Sequence, residues 1–170
     1  MSIQTVGIIG AGTMGNGIAQ ACAVSGVNVV MVDISEAAVA KGIATVTSSL
    51  DRLIKKEKMT EAEKTAALAR IHGSTQYQDL QKAQLVIEAA TENFDLKVKI
   101  LKQVDSLLAE DVVVASNTSS ISITKLAAAT TRADRFIGMH FFNPVPMMAL
   151  VRSEEHTSEL QSHSFISYAV

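Results

Sequence analysis

The sequence predicts an α/β fold in which helices cover both faces of a doubly wound, mostly parallel sheet. Two observations lead to this prediction: short apolar runs alternate with stretches of helical periodicity, and a glycine-rich turn joins the first run to the first helix. Strands that alternate with helices pair in parallel and are buried by the helices between them. The 170 residues suit one domain.

The first strand, turn, helix and second strand lie between Thr5 and Asp33. In a G-x-G-x-x-G turn the first glycine permits the tight turn, the second leaves no Cβ between backbone and pyrophosphate, and the third lets the helix lie close to the strands. N–H groups at the helix start and the helix dipole favour phosphate there. The unit therefore predicts a Rossmann-type dinucleotide site. Its turn consists of Gly10, Ala11, Gly12, Thr13, Met14 and Gly15.

Asp33 follows the second strand, about 20 residues after the glycines. A carboxylate at this place can accept hydrogen bonds from the ribose hydroxyls and would repel a 2′-phosphate. The sequence therefore predicts NAD as cofactor in preference to NADP. The alternative is an ordinary acidic residue at the end of a strand.

Composition limits the function classes. The chain is 48% hydrophobic with a net charge of −2, so no basic excess points to nucleic acid or an anionic membrane. No apolar run approaches the ~20 residues of a spanning helix, and no signal peptide precedes the first strand, so we expect a cytoplasmic protein. Cys22 is the single cysteine, which leaves no internal disulfide or thiolate zinc cluster, and we expect no metal.

A helical pair is expected after Asp33, over residues 36–56 and 60–71. The second helix begins with a capping box, in which Thr60 caps the N–H of Glu63. Because no strand is evident between the two helices, we interpret the pair as an insertion. The charged run at 55–58 is by default a solvated face, and the alternative is a basic cluster that receives phosphates of a large substrate.

Three more strands are expected over residues 84–89, 112–115 and 136–142, with helices over 94–108 and 122–129. In a parallel sheet, ligands bind beyond the carboxyl ends of the strands. The polar residues that follow these ends are therefore expected to share one cleft. They are Asp33, Glu92, residues 116–120 and residues 140–143.

Four segments resemble the NAD-binding domain of 3-hydroxyacyl-CoA dehydrogenases, especially the short-chain 3-hydroxybutyryl-CoA dehydrogenases. They are residues 10–15, 88–93, 116–120 and 140–146, and the resemblance covers residues 3–151. It implies NAD-dependent oxidation of an (S)-3-hydroxyacyl-CoA to the 3-oxoacyl-CoA in fatty-acid and butanoate metabolism.

The resemblance also implies roles for single residues. His140 matches the catalytic histidine, and imidazole suits the role because it accepts a proton near neutral pH. Ser119 matches a serine that hydrogen-bonds the substrate oxygen. The matched cofactor contacts are Glu92, Lys97 and Asn143, and the matched coenzyme A contacts are Ser49, Lys56 and Ser119.

Purely structural roles stay open as alternatives for several of these residues. A histidine at a strand end can be purely structural, and a serine in Asn-Thr-Ser-Ser can be a loop or capping residue. Glu92 and Lys97 could also be the solvated start of a helix.

The resemblance ends at Val151. The family places a glutamate next, which holds the catalytic histidine and offsets its charge, whereas this chain has Arg152. A cation there would disfavour the charged ring. The family also continues into an all-α domain that closes the cleft and forms a homodimer interface, and the sequence shows no such continuation.

Residues 152–170 resemble the translation of a sequencing-library adapter. We therefore expect an NAD-binding domain over 1–151 and an artefactual, unstructured tail over 152–170. The alternative is a tail with a function of its own, such as metal binding by His156 and His163. Two functions remain open: a dehydrogenase present as a fragment, and an NAD-binding module without turnover. A third reading, a glycine-turn dehydrogenase acting on other hydroxy acids, is disfavoured by residues 140–146.

Overall fold

Eight strands form one sheet in the computed structural model, which describes residues 3–148, 150–155 and 164–167. The order is β3-β2-β1-β4-β5-β6-β7-β8; the first six strands are parallel, and β7 and β8 are antiparallel. The predicted doubly wound, mostly parallel sheet is thus confirmed. The strands are β1 Thr5–Ile9, β2 Asn28–Val32, β3 Ile71–Ser74, β4 Leu85–Glu88, β5 Val113–Ser116, β6 Phe136–Phe141, β7 Leu150–Glu155 and β8 Ser164–Ser167.

Helices cover both faces of this sheet. Alternate residues of a strand point to opposite faces; Ile8 accordingly packs into one apolar cluster and Ile9 into another. The cluster around Ile8 is closed by α1, α2 and α3, and that around Ile9 by α4 and α5. The helices are α1 Thr13–Val24, α2 Glu36–Lys55, α3 Glu61–Ala69, α4 Phe94–Asp105 and α5 Ile123–Ala127, with short 3₁₀ turns at Tyr77–Lys82, Ala133–Arg135 and Val145–Met147.

A strand that the sequence did not reveal follows the helical pair. The helix expected to reach Ile71 ends at Ala69, and Ile71 begins β3, which pairs with β2. The pair is therefore the crossover between β2 and β3. This strand lies at the sheet edge and lacks an apolar pattern, so periodicity did not reveal it. A Cβ at Gly73 would lie 2.3 Å from Val39 Cγ1, so glycine lets α2 pack directly on this edge.

The capping box at the start of α3 is confirmed. The N–H of Glu63 donates to Thr60 Oγ1 at 3.2 Å, and the N–H of Thr60 donates to Glu63 Oε2 at 2.7 Å. Both bonds satisfy N–H groups that a helix start would otherwise leave open. The pKa of Glu63 is held below its usual range, first by the hydrogen bond from the Thr60 N–H and then by the Thr60 hydroxyl, which donates to Glu63 Oε2 at 2.9 Å.

The expectation that residues 152–170 are unstructured is wrong for two of their segments. Residues 152–155 continue β7, which pairs antiparallel with β6, and Ser164–Ser167 form β8. The expectation rested on the resemblance to a translated adapter, but β6 would otherwise be an open edge whose main-chain groups can pair with almost any sequence. Residues 156–163, with His156 and His163, and 168–170 lie outside the described residues.

Within the described part of the chain, no helix is long and apolar enough to cross a membrane. Among the same residues, no three His, Cys, Asp or Glu side chains come together as a possible metal site. Cys22 on α1 is half-buried and packs against the core. Burial raises the pKa of its thiol to about 11, so it stays protonated at neutral pH.

Candidate cofactor and catalytic site

The glycine turn between β1 and α1 fits a dinucleotide. Gly10 has a φ of 103°, which favours glycine. A Cβ at Gly15 would lie 1.8 Å from the carbonyl oxygen of Gly10, so only glycine lets α1 begin this close to β1. At Gly12, by contrast, a Cβ would meet nothing within 4 Å. The backbone at the start of α1 therefore faces open space where a pyrophosphate can approach the helix.

Asp33 is fixed beside this turn. Its Oδ2 accepts a hydrogen bond from the N–H of Ala11 at 2.6 Å, and its Oδ1 accepts one from the N–H of Ile34 at 2.7 Å. Each carboxylate oxygen can accept a further bond. The side chain can thus receive ribose hydroxyls while it braces the backbone of the glycine turn, which agrees with the predicted cofactor role.

Tyr77 is a neighbour of Asp33 that the sequence did not indicate. It lies in the 3₁₀ turn before β4 and is half-buried. Burial, followed by the negative charges of Asp33 and Glu88, raises the pKa of its phenol. An isolated aromatic residue in a polar stretch carries no periodic signal, so sequence reasoning had nothing from which to find it.

Glu92 joins the loop after β4 to the loop after β5. Its Oε2 accepts hydrogen bonds from Thr118 Oγ1 and Ser120 Oγ, both at 2.8 Å. Ser119 lies between these two donors and is exposed. The predicted cofactor residue Glu92 and the predicted substrate residue Ser119 are therefore brought together at the same edge of the sheet.

Lys97 is buried beneath the site. It is not part of a solvated helix start, because its side chain is 1% exposed. Its Nζ donates to Glu88 Oε2 and, at 3.3 Å, to Ser116 Oγ. A direct contact between Lys97 and a cofactor stays a prediction.

Asn117 connects the β5 loop to the strand of His140. Its Oδ1 accepts a hydrogen bond from the N–H of Phe141 at 3.0 Å. His140 itself is half-buried near the end of β6, and Asn143 is exposed just beyond that strand. The predicted catalytic histidine therefore shares the carboxyl edge of the sheet with the glycine turn and Asp33.

Arg152 is the direct cross-strand neighbour of His140 in the antiparallel pair of β6 and β7. Residues opposite each other in such a pair project to the same face of the sheet. The guanidinium side chain is thus placed beside the imidazole, at the position where the sequence departs from the resemblance.

Two of the three predicted coenzyme A residues, Ser49 and Lys56, lie apart from these strand ends. Ser49 is half-buried on α2, and Lys56 is exposed immediately after this helix ends. Positions 49 and 56 are separated by about two helical turns and therefore share one face. Their contact with a substrate stays a prediction.

The sequence matches the family described as 3-hydroxyacyl-CoA dehydrogenase, NAD binding domain, over residues 5–168. A 3-hydroxybutyryl-CoA dehydrogenase of Bradyrhizobium diazoefficiens is 50% identical over 149 residues, which cover 88% of this chain and 51% of that relative. The crystal structure of (S)-3-hydroxybutyryl-CoA dehydrogenase from Ralstonia eutropha shows 78% identity and a TM-score of 0.88, over 89% of this chain and 54% of that one.

FadB2 of Mycobacterium tuberculosis is a further structural relative, with 44% identity and a TM-score of 0.87. The alignment covers 89% of this chain and 53% of FadB2. The chain therefore spans about half the length of these relatives, and the matched half is the one that carries the glycine turn and His140. The chain belongs to the 3-hydroxyacyl-CoA dehydrogenase NAD-binding domain family.

Proposed function

We propose that the chain carries the cofactor-binding part of an NAD-dependent dehydrogenase that oxidises short-chain (S)-3-hydroxyacyl-CoA, such as 3-hydroxybutyryl-CoA, to the 3-oxoacyl-CoA. The observation that carries this proposal is the position of three groups at one edge of the parallel sheet: the glycine turn, Asp33 and His140. Ligands of such sheets bind at this edge.

The residues divide the work between cofactor and substrate. The start of α1 holds the pyrophosphate, Asp33 accepts the ribose hydroxyls, and Glu92 and Asn143 hold the nicotinamide half. NAD supplies the hydride acceptor when it is bound. Ser49 on α2 and Lys56, which follows this helix, bind coenzyme A, with Lys56 providing positive charge for its phosphates.

His140 acts as general base in this proposal. The imidazole takes the proton of the substrate hydroxyl, and Ser119 donates a hydrogen bond to the same oxygen. Asn117 supports this arrangement, because its Oδ1 accepts a hydrogen bond from the N–H of Phe141 and so fixes the backbone next to His140. Glu92 supports it from the other side by holding the residues that flank Ser119.

A second candidate function is NAD binding without efficient turnover. It is favoured by one observation, the position of Arg152 directly opposite His140. A guanidinium group beside the imidazole works against the positive charge that the ring acquires when it takes a proton. The glycine turn and Asp33 lie at the ends of β1 and β2, away from this pair, so binding of the pyrophosphate and the adenosine ribose does not depend on it.

We further propose that the evolved domain is residues 1–151 and that residues 152–170 do not belong to it, because their sequence resembles a translated adapter. Sequencing the source DNA past the codon for Val151 tests this. A different coding sequence after that codon supports the proposal, and the same codons overturn it.

In the full-length parent we propose a homodimer and a cytoplasmic location. Three apolar side chains near the site are exposed, and their exposure supports a partner subunit that covers them. They are Phe142, Met147 and Met148.

One experiment separates the two candidate functions. The purified 170-residue chain is titrated with NAD by calorimetry and then incubated with NAD and 3-hydroxybutyryl-CoA while NADH absorbance is followed. Binding with turnover supports the dehydrogenase, and binding without turnover supports the module. Absence of NAD binding by a chain that is folded by circular dichroism would overturn both.

A further inference from the structure

A buried network of three side chains lies under the site and was not indicated by the sequence. Glu88 Oε2 accepts hydrogen bonds from Lys97 Nζ and, at 2.8 Å, from Ser116 Oγ, while Glu88 Oε1 accepts one from the N–H of Ala90 at 2.9 Å. The side chains of Glu88 and Lys97 are 0% and 1% exposed. Burying two charges is costly, so such a pair is weak support for a role in stability alone.

On one side, this network holds the wall of the glycine turn. Glu88 ends β4, and the next two residues pack against Gly10: a Cβ at Gly10 would lie 2.8 Å from both the Ala89 carbonyl oxygen and Ala90 Cα. The N–H of Ala89 also donates to the carbonyl of Ile9 at 2.8 Å. The carboxylate of Glu88 therefore fixes the backbone that borders the predicted pyrophosphate site.

On the other side, Glu88 contacts the loop after β5. Its carbonyl accepts the N–H of Asn117 at 2.9 Å, and Asn117 in turn receives the N–H of Phe141. Ser116, the third member of the network, ends β5. Glu88 is thus bonded to the loop after β4 through its carboxylate and to the loop after β5 through its backbone carbonyl, and its carboxylate also holds Ser116 at the end of β5.

We propose that Glu88 is a positioning residue for the cofactor: neutralised by Lys97, its carboxylate sets the place of the β4–α4 loop against the glycine turn, and so determines NAD affinity without touching NAD. This inference rests on the proposed function, since it requires NAD to bind at that turn. Displacements of about 1 Å at a binding site can change its performance by a large factor.

The chain contains a matched control for this proposal. Asp105 and Arg132 form a second buried ion pair, at the far end of the same helix α4. Asp105 also accepts a backbone N–H, that of Thr131 at 2.7 Å. The chemistry resembles that of Glu88, but the pair holds the loop before β6 instead of the glycine turn.

The test compares Glu88→Gln with Asp105→Asn in the 170-residue chain. Each variant replaces a paired buried carboxylate by its amide. The thermal unfolding temperature measured without cofactor should be lower in both variants, because each leaves a buried cation without its counter-charge. Calorimetric titration with NAD, at a temperature where both are folded, should show a Kd raised about tenfold or more for Glu88→Gln and within about twofold of the parental value for Asp105→Asn.

Hydrogen exchange gives a second readout that needs no cofactor. The amide of Ala90 should exchange faster in Glu88→Gln and stay protected in Asp105→Asn. If Glu88→Gln does not fold, Ser116→Ala takes its place, because it removes only the two hydrogen bonds of the Ser116 hydroxyl and leaves the ion pair. Its Kd for NAD should rise about threefold.

The outcomes separate this inference from the proposed function. An unchanged or lower Kd in the Glu88 or Ser116 variant, or an equal rise in Asp105→Asn, would overturn the positioning role while leaving NAD binding intact. Failure of the parental chain to bind NAD would overturn the proposed function, and the positioning role with it.

Discussion

His140 on β6 and Arg152 on β7 lie directly opposite each other in an antiparallel pair. Their side chains project to the same face of the sheet, so a positively charged residue lies across from the proposed general base. We therefore expect this 170-residue chain to bind NAD with little turnover.

Arg152→Glu should therefore raise turnover of 3-hydroxybutyryl-CoA by about tenfold or more, since a carboxylate beside the ring stabilises the imidazolium that forms when the proton is taken. The rate of NADH formation measures this. Lys102→Glu on the exposed face of α4 makes a similar charge change away from the site and should have no effect. Equal rates for parental chain and Arg152→Glu would show that the opposed cation does not limit catalysis.

His140→Gln should lower turnover by a factor on the order of 10² or more, because general acid–base catalysis is lost. NAD affinity should change little, since the glycine turn is on another strand. Ser119→Ala should have a milder effect on turnover. Both are measured in the Arg152→Glu background, and near-parental rates for His140→Gln would contradict its assignment as general base.

Gly12→Ala should raise the Kd for NAD by about tenfold or more while leaving thermal stability nearly unchanged. Its Cβ would occupy open space in the free protein and collide only with the approaching pyrophosphate. Gly15→Ala is the contrasting variant, since its Cβ would lie 1.8 Å from the Gly10 carbonyl oxygen and should destabilise the fold itself. Calorimetry and thermal unfolding separate the two effects, and tight NAD binding by folded Gly12→Ala would place the pyrophosphate elsewhere.

The sheet and the glycine turn were predictable because their signals are local: apolar runs of strand length, three glycines at fixed spacing, and a threonine three residues before a glutamate. The network of Glu88, Lys97 and Ser116 was not, because its bonds join residues 9, 19 and 28 positions apart that share no periodicity. Lys97 showed this most clearly, since a lysine near a helix start is usually solvated.

The strands at the two edges of the sheet were not predicted from the sequence. β3 and the strands formed by residues 152–155 and 164–167 are held by main-chain pairing, which a side-chain pattern does not report. Central strands, which are buried on both faces, carry that pattern and were identified. The difference between centre and edge explains most of the disagreement.

Asp105 should give the chain an acid-sensitive contribution to stability. Burial acts to raise its pKa, but the hydrogen bonds from Arg132 and Thr131, together with the guanidinium charge, outweigh burial and hold the pKa below its ordinary 3.8. A lowered folded-state pKa stabilises the protein above the ordinary value, and this stabilisation is lost as pH falls through the folded value.

Asp105→Asn should accordingly lower the free energy of unfolding by about 3 kcal/mol at neutral pH, since it leaves Arg132 buried without its counter-charge. The difference between the parental chain and the variant should stay constant down to about pH 4 and shrink below it. Urea unfolding at a series of pH values measures this, and a difference that is independent of pH to the lowest values would contradict the assignment.

The central claim is that Asp33 selects NAD at the glycine turn, and the ratio of the Kd values for NADP and NAD tests it most directly. Calorimetric titration of the 170-residue chain should give NAD at least about tenfold tighter binding, because the carboxylate accepts the ribose hydroxyls and repels a 2′-phosphate. Asp33→Ala should bring the ratio close to one, whereas Glu36→Ala, which removes an exposed carboxylate three residues away, should leave it unchanged. Equal or tighter binding of NADP by the parental chain, or a preference unaltered in Asp33→Ala, would contradict the account.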